Sequence, residues 1–389
     1  MHLLPVVLIG PCEDDPTESV SQVNRCFVEG LADRYEFVPH VANRSFGGTR
    51  RSRFNLGNLW FFGRHLALWL WRVGSRRPDV VHYSINSGWA LEKGLVFLRI
   101  GRWFGAKTVG HLHSGSFLDF WSSLAPGRKR RAARQLAALD AFVVLSDAWK
   151  RRVVEQLGLA PERVHVVNNP LDGIFEEQAL AMPVDRKGNT MLALGVMDEQ
   201  KGVLDIMRAA ARARGQVDFK LILAGPERQP GIRARVEQLI REHDLTAQIE
   251  LRPGVWGEEK VRLFREASAL LLPSYFENFP LVVLEAAAAG LPMIVSPVGA
   301  TAEFFNHADS AWFVAPGDVA GLSEALVRVG GDPALRRQLG AQARAVFLQR
   351  LARANIMKSL DVVYASVLSA SVHRGVPPKR EVSQTSSIP

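Results

Sequence analysis

Two carboxylates eight residues apart are central to the chemistry that this sequence could perform. Glu277 follows an apolar strand predicted at 269–272, and Glu285 lies in the apolar helix predicted at 281–289. A charged side chain in such a helix is costly to bury unless it is paired or faces a polar ligand. Carboxylates accept hydrogen bonds from the adjacent hydroxyls of a ribose or hexose, so the two could hold two sugars of one ligand. The alternative for Glu285 is a buried ion pair with a nearby Lys or Arg.

A lysine and two histidines follow other predicted strands. Lys201 lies in the segment 195–202, at the opening of a helix, where its cation and the helix amides suit a diphosphate. His111 and His113 flank a strand end in the first half of the chain. A single histidine there is more often structural, but two favour a functional role. The sequence contains no Asp-x-Asp, which a carboxylate clamp for Mg²⁺ or Mn²⁺ would normally need.

The elements that must position these residues follow from the alternation of short apolar runs with amphipathic stretches of helical length. Continuous apolar strands between helices are typical of a parallel sheet covered on both faces. The predicted strands are 6–9, 79–83, 107–111, 141–145, 164–167, 191–194, 219–224, 249–251, 269–272, 293–296 and 311–314. We therefore predict two doubly wound, Rossmann-like α/β domains facing across a cleft, with a ligand between the carboxyl ends of their strands.

The 389 residues are too many for one hydrophobic core and suggest two domains. We predict a first domain at 1–171, a linker at 172–189 and a second domain at 190–350. A C-terminal helix is predicted at 351–372. The Ser-, Pro- and Lys-rich residues 373–389 have no apolar pattern, and we expect a disordered tail.

Positive charge is concentrated in one part of the chain. Residues 44–134 contain 17 Lys and Arg against three acidic residues, a net +14 within a total of +9. Such a region suggests an anionic neighbour, which could be nucleic acid, acidic lipid or a phosphorylated substrate. The alternative is a solvated arginine-rich surface. No nucleic-acid recognition motif accompanies the charge, so we do not expect nucleic acid as a partner.

The basic region also contains a segment rich in tryptophan. Residues 59–72 hold three Trp and two Phe, with Arg51, Arg53, Arg76 and Arg77 on either side. This composition is typical of a helix at a membrane interface, and a buried helix packed on the first sheet is an equal alternative. No run of 18 uncharged apolar residues occurs, so no membrane-spanning helix is predicted.

The expected location is the cytoplasm. The two cysteines, Cys12 and Cys26, support neither a disulfide framework nor a cysteine zinc site, which fits a reducing compartment. The short apolar run at the N-terminus has no basic lead and no small-residue cleavage site, and is interpreted as a strand. The basic and Trp-rich segments suggest peripheral contact with an anionic surface, the inner face of the plasma membrane.

Several motifs in a fixed order resemble those of the family-four retaining glycosyltransferases of GT-B fold, also called glycosyl transferases group 1. The main one is 273–285 with its E-x7-E spacing, followed by Gly290-Leu291-Pro292 and by 296–303. The resemblance extends to 111–115, 146–149, 169–172, 195–202 and 223–225, and so covers nearly the whole chain.

This resemblance implies transfer of a sugar from a nucleotide diphosphate sugar to a glycan or lipid-linked acceptor, with retention of configuration and without a metal. By position, Glu285 would bind the ribose, Glu277 the transferred sugar and Lys201 the diphosphate. His113 would contact the donor sugar near the reaction centre. The first domain would face the acceptor, the second would bind the donor, and the C-terminal helix would return to the first. The further donor-binding positions would be Gly195, Gly225, Asn278, Phe279, Pro280, Leu281, Gly299, Ala300 and Thr301.

Two positions depart from the family's pattern. Val196 stands where an Arg is usual, which removes one expected cation from the diphosphate site. In the first strand-to-helix loop, Glu18 and Ser19 stand where glycines are usual, so the backbone there is less free to approach a ligand. These departures support a second hypothesis, a non-catalytic GT-B protein that binds nucleotide or glycan as a partner subunit.

Overall fold

The computed structural model describes residues 4–12, 19–41 and 56–369 of the chain. The predictions for residues 13–18 of the first loop, for Arg51 and Arg53, and for the tail at 373–389 concern residues outside these ranges.

The first domain contains a six-stranded parallel sheet in the order β2-β1-β3-β4-β5-β6. Its strands are β1 (Val6–Gly10), β2 (Glu36–Pro39), β3 (Val80–Ile85), β4 (Lys107–Leu112), β5 (Ala141–Val144) and β6 (Val164–Val166). The helices between them are α1 (Ser19–Gly30), α2 (Leu56–Arg76), α3 (Trp89–Trp103), α4 (Phe117–Ser123), α5 (Pro126–Ala137) and α6 (Asp147–Leu157). Helix α7 (Gly173–Leu180) follows β6 and packs against the second domain.

The second domain contains another six-stranded parallel sheet, in the order β12-β11-β10-β7-β8-β9. Its strands are β7 (Thr190–Leu194), β8 (Lys220–Ala224), β9 (Ile249–Arg252), β10 (Ala269–Leu272), β11 (Met293–Val295) and β12 (Trp312–Phe313). Its helices are α8 (Val203–Ala213), α9 (Ile232–Glu242), α10 (Gly257–Glu266), α11 (Leu281–Ala288), α12 (Thr301–Phe304), α13 (Val319–Gly331) and α14 (Pro333–Val346). A π-helical turn, Phe347–Leu351, leads into α15 (Arg353–Ser369).

Apolar side chains on both faces of each sheet explain why helices cover both faces. All six residues of β3 and all four of β10 are buried, and each sheet lies between two separate hydrophobic clusters. Buried strands of this kind form where βα crossovers place helices on each side. The prediction of two doubly wound α/β domains is therefore confirmed.

Two elements differ from the sequence-based predictions. Strand β2 was not predicted, because its edge position leaves Glu36 exposed and its last residue is Pro39. The segment 172–189, interpreted as a linker, begins with helix α7. Asp172 caps this helix by accepting a hydrogen bond from the Phe175 backbone amide at 2.9 Å. Its buried residues, Phe175 and Ala179, form too short a stripe to show helical periodicity.

Helix α15 packs against the first domain, although it follows the second in the chain. The Tyr35 hydroxyl donates a hydrogen bond to Asp361 at 2.8 Å, and the Tyr364 hydroxyl lies 2.6 Å from Nδ1 of His82. The helix thus returns the chain from the second domain to the first sheet, where it contacts His82 of β3.

Helix α2, which contains the Trp-rich segment, is two-sided. Trp69 is fully buried and stacks on Phe97 with ring centroids 4.8 Å apart, whereas Trp60 and Trp71 are 69% and 64% exposed. The helix therefore packs on the first domain and also presents aromatic side chains to solvent. Within the described residues, no helix is long and apolar enough to cross a membrane.

Candidate functional site

The loops at the carboxyl ends of both sheets meet around a cavity of about 280 Å³ between the two domains. The first domain contributes His113, Asn169 and the start of α1, and the second contributes Lys201, Glu277 and neighbouring residues. In parallel sheets these loop ends are where ligands bind. Three residues predicted from separate motifs, His113, Lys201 and Glu277, therefore line one cavity.

Lys201 and Glu277 form an ion pair inside this cavity. Lys201 Nζ contacts Glu277 Oε1, and the Ser274 hydroxyl donates a hydrogen bond to the same oxygen at 2.9 Å. The side chains of Lys201 and Glu277 are only 21% and 10% exposed. The pair therefore holds a cation and a carboxylate at fixed positions in a partly desolvated site, where charge acts more strongly than in water.

The backbone around Lys201 explains how this cation is positioned. Asp198 accepts a hydrogen bond from the Lys201 amide at 2.9 Å, which caps the short 3₁₀ helix Glu199–Lys201. Gly202 follows with φ of 72°, and a Cβ there would lie 2.4 Å from the Pro273 carbonyl oxygen. Only glycine combines this backbone angle with so close an approach, which brings Lys201 beside the loop that follows β10.

Gly195 and Gly225 allow a second close approach, where β7 and β8 end. The Gly195 amide donates to the Ala224 carbonyl at 3.0 Å, and a Cβ on Gly225 would lie 1.7 Å from the Gly195 carbonyl oxygen. Gly195 lines the cavity, but Gly225 lies behind it. Gly225 thus acts by letting the two backbones meet.

His113 lies at the end of β4 and is held as a neutral imidazole. Burial lowers its pKa to about 4, and the Asn169 side chain beside it opposes this shift in part. Among the described residues its Nε2 is buried without a hydrogen-bond partner, although the side chain lines the cavity. At neutral pH, His113 can therefore exchange hydrogen bonds with a ligand but carries no charge to offer it.

Two further histidines lie behind His113 in the first sheet. The His111 and His113 rings are 4.1 Å apart between centroids, and His111 Nδ1 lies 3.3 Å from Nε2 of His82. Burial lowers the pKa of His82 to about 3 and that of His111 well below its usual value. The sequence placed His111 and His113 together at the strand end, but only His113 lines the cavity.

The loop from Asn278 to Leu281 joins the two domains along one side of the cavity, and all four of its residues line it. Asn169 of the first domain donates to the Phe279 carbonyl at 3.1 Å. A Cβ on Gly115 would come within 2.9 Å of the Asn278 backbone, so Gly115 allows the loops to pass. Of these residues, Asn278, Phe279, Pro280 and Leu281 had been predicted as donor-binding positions.

Gly299, Ala300 and Thr301 lie behind this loop and do not line the cavity. Gly299 has φ of 61°, and the Ala300 amide donates to the Asn278 carbonyl at 2.7 Å. Gly299 and Ala300 therefore support the loop from behind, and the Thr301 amide donates to the Val298 carbonyl at 3.2 Å. The nearby Glu303 reaches the first domain, where it accepts hydrogen bonds from the first two amides of α6 at 2.8 and 2.9 Å.

Glu285 faces a second cavity, of about 400 Å³, bounded by α1, α7, α10 and α11. It is buried and pairs with Lys260, whose Nζ lies 2.6 Å from Glu285 Oε1. The ion pair raised as the alternative for Glu285 is therefore present. Leu281 lines both cavities, so the two adjoin at this residue. We refer to them together as the cleft, with Glu277 and Glu285 in different halves.

Arg228 is a cavity residue that sequence reasoning did not identify. It follows β8, and its amide donates to the Met197 carbonyl at 3.1 Å, next to Val196. Its guanidinium lies 3.3 Å from Asp198, the residue that caps the Lys201 turn. A cation is therefore available beside the position where Val196 replaces an arginine. Asn169 was also missed, although the motif 169–172 had been noted.

The side chains in the cleft also bear on metal binding. Across 4–12, 19–41 and 56–369, no three His, Cys, Asp or Glu side chains are grouped so that they could hold a metal ion. In the cavity with Lys201, the cations near a bound anion would be Lys201 and Arg228.

Two family models match the chain, one for each domain. Residues 6–173 match "Glycosyltransferase Family 4", and residues 175–346 match "Glycosyl transferases group 1". The boundary between the two matches falls at the start of α7.

Among curated proteins, the chain is 28% identical to glycogen synthase of Mycobacterium tuberculosis over 308 residues, which is 77% of this chain and 69% of that protein. It is 30% identical to the MMP alpha-(1->4)-mannosyltransferase of Mycolicibacterium hassiacum over 219 residues. That match covers 56% of this chain and 51% of the relative.

Solved structures share the fold over nearly the full length. Sucrose-phosphate synthase from Thermosynechococcus elongatus superposes with a TM-score of 0.73 at 17% identity, over 95% of this chain and 100% of that one. HepE from Anabaena, solved in complex with UDP-glucose, gives a TM-score of 0.70 at 16% identity, over 93% and 99% of the two chains.

Proposed function

Because this chain belongs to the group 1 glycosyltransferases, we propose that it transfers a sugar from a nucleotide diphosphate sugar to a glycan or lipid-linked acceptor, with retention of anomeric configuration. The observation that carries the proposal is the divided cleft. One half contains a lysine, an arginine and a carboxylate, and the other contains a buried carboxylate. A nucleotide diphosphate sugar has the matching parts: a diphosphate and a sugar at one end, and a ribose at the other.

The donor would lie across Leu281, which lines both halves. Its ribose hydroxyls would replace Lys260 as partners of Glu285, and its diphosphate would meet Lys201. Glu277 would then accept hydrogen bonds from the hydroxyls of the transferred sugar. The unpartnered Nε2 of His113 would reach that sugar from the first domain. Lys201 and Glu277 would exchange their mutual contact for contacts with the donor, and Glu285 would exchange its contact with Lys260. His113 would gain a partner that it lacks without the donor.

Catalysis in this proposal is electrostatic. The bond between the sugar and the diphosphate breaks as negative charge grows on the leaving phosphate, and Lys201 and Arg228 would stabilise that charge. Cations fixed in a partly desolvated site act strongly because they need little reorganisation during the reaction. The proposal includes independence from a metal, since these two cations serve the purpose that a divalent ion would otherwise serve.

The acceptor would enter from the first domain, whose surface is basic and carries exposed tryptophans. We propose that this surface contacts an anionic membrane at its cytosolic face, with Trp60 and Trp71 of α2 at the interface. Sedimentation with anionic vesicles at low salt, and release at high salt, is the expected result, because salt screens such attraction within about 10 Å at 0.1 M. If the protein sediments only with neutral vesicles, or with neither kind of vesicle, the proposed membrane contact is contradicted. Neither outcome bears on the donor site.

The experiment that tests the proposal is thermal unfolding with UDP, GDP and ADP and their common sugar conjugates, for the wild type and for Glu285→Ala. UDP and UDP-glucose come first, because the structurally similar HepE was solved with both. A ligand at 100 times its dissociation constant adds about 2.7 kcal/mol to the free energy of unfolding. We expect one nucleotide class to raise the melting temperature of the wild type, and a much smaller rise in Glu285→Ala.

The conjugate that stabilises most is then incubated with candidate acceptors, and the anomeric configuration of the product is read by NMR. Nucleotide binding without consumption of any donor would favour the second hypothesis, a non-catalytic partner subunit that Val196 and the altered first loop suggest. An inverted product would refute retention alone.

A further inference from the structure

A third cavity lies on the first domain, between α3 and α5, and has a volume of about 710 Å³. We call it the arginine cavity, because four of its lining residues are arginines: Arg99, Arg102, Arg131 and Arg134. Trp103 and Thr108 also line it, and no acidic residue does so within the described part of the chain.

Helix geometry explains why four cations converge here. Arg99 and Arg102 are three residues apart on α3, as are Arg131 and Arg134 on α5, so each pair shares one face of its helix. The two helices lie side by side with these faces towards the same cavity. Like charges at this spacing oppose each other by a few tenths of a kcal/mol per pair, so the arrangement is unfavourable unless an anion relieves it.

The carboxylates near this cavity already have other partners. Glu92 accepts a hydrogen bond from Arg128 at 2.8 Å, and Asp140 accepts from the Thr108 amide and hydroxyl at 2.9 Å each. In the described structure, none of the four cavity arginines forms an ion pair. Their charge is therefore not neutralised by the protein around them.

Two of the arginines are held in place while keeping donors free. Arg102 donates to the Ala138 carbonyl, and the Arg99 guanidinium lies 5.1 Å from the centre of the Trp103 ring. Arg99 Nε is buried and has no hydrogen-bond partner among the described residues. Anchored guanidinium groups with unused N–H donors suit the oxygens of a phosphate, which they can bind in pairs.

We propose that the arginine cavity binds a phosphate or diphosphate group, at a site separate from the interdomain cleft. Thr108 is near the start of β4 and His113 follows its end, so the two sites are about 16 Å apart at the usual rise of a strand. The phosphate could belong to a soluble phosphorylated compound or to a lipid headgroup. The inference rests on this cavity alone and holds whether or not the cleft binds a nucleotide sugar.

The test compares two variants with equal loss of charge. Arg131→Gln/Arg134→Gln removes two exposed cavity arginines, and Arg130→Gln/Arg151→Gln removes two exposed arginines that do not line the cavity. Both are made in a Lys201→Ala background, so that the cleft does not dominate anion binding. Calorimetric titration with inorganic pyrophosphate measures the soluble ligand, and sedimentation with phosphatidylcholine vesicles containing phosphatidic acid measures the lipid. Melting temperatures establish that each variant is folded.

We expect the cavity variant to weaken binding about tenfold or more, and the control variant to change it less than about twofold. A cavity-specific loss with pyrophosphate identifies a soluble phosphate as sufficient. A cavity-specific loss only with vesicles identifies a lipid headgroup. Equal weakening of binding by the two variants overturns the proposal. So does the absence of binding to both pyrophosphate and vesicles by the Lys201→Ala protein, which keeps all four cavity arginines.

Discussion

Among substitutions in the cleft, removal of the Lys201 cation should have the most clearly defined effect on kcat. Lys201→Ala deletes the ammonium group that contacts Glu277 and would face the diphosphate. At 21% exposure the side chain lies in a partly desolvated site. Removal of one preorganised donor to a developing oxyanion costs about 2.7–4 kcal/mol, so we expect kcat to fall roughly 10²- to 10³-fold.

The same change also affects stability, and the two effects need separate measurements. Without Lys201, the 10%-exposed Glu277 side chain keeps only the Ser274 hydroxyl as a partner among the described residues. Loss of one member of a fully buried pair costs about 3–5 kcal/mol, and an exposed pair is worth at most about 1 kcal/mol. We expect a lower melting temperature for Lys201→Ala and partial recovery in Lys201→Ala/Glu277→Gln, with kcat low in both.

The assay follows release of nucleoside diphosphate from the donor that the thermal-unfolding panel selects. Lys358→Ala, which removes an exposed lysine on α15, is the matched control and should leave kcat unchanged. If Lys201→Ala is folded and retains kcat within about threefold of the wild type, stabilisation of the leaving phosphate by Lys201 is refuted.

Three further predictions concern the second cation, the buried histidines and metal dependence. Arg228→Ala should weaken binding of the nucleoside diphosphate by about tenfold in calorimetry and should leave binding of the nucleoside unchanged. A tenfold loss is the low end for a hydrogen bond to a charged group, and we expect it because the Arg228 side chain is 61% exposed. The pKa values of His82, His111 and His113 are all lowered by burial, so the unfolded chain takes up protons near pH 6.5 while the folded chain does not. The free energy of unfolding should therefore fall as the pH drops from 6.5 to 5, by up to about 1.4 kcal/mol per pH unit for each histidine. Urea unfolding measures this free energy, and a value that is independent of pH between 6.5 and 5 would contradict the burial of the three histidines. Donor turnover should survive EDTA within about twofold, and loss of activity that Mg²⁺ restores would refute metal independence.

Much of the fold could be predicted because its strands are buried on both faces. The runs at β7 and β10 are almost entirely apolar, and all residues of β3 are buried although they include His82 and Ser84. Buried strands of this kind are typical of a sheet covered by helices on both faces. The edge strand β2 lacks a continuous apolar run, because Glu36 is exposed at the sheet edge and the strand ends at Pro39. These residue types are as common in loops as in edge strands, so the sequence alone does not distinguish the two. Helix α7 was missed for a related reason, since its buried residues do not form a long stripe.

The candidate site could be predicted where single residues end strands or begin helices. Lys201 and Glu277 stand at such junctions, and the structure brings them into contact. Arg228 is different, because it lies 32 positions after Val196 and reaches it only through the pairing of β7 with β8. The location of Glu285 in a neighbouring cavity also depends on packing, since the lysine that pairs with it comes from α10.

A crystal structure of this chain with the nucleotide that thermal unfolding selects would locate the donor directly. We expect the diphosphate to lie within hydrogen-bond distance of Lys201 Nζ, and the ribose hydroxyls to contact Glu285 in the adjoining half of the cleft. A nucleotide bound elsewhere, or one whose ribose and diphosphate contact neither residue, would refute the proposed donor site.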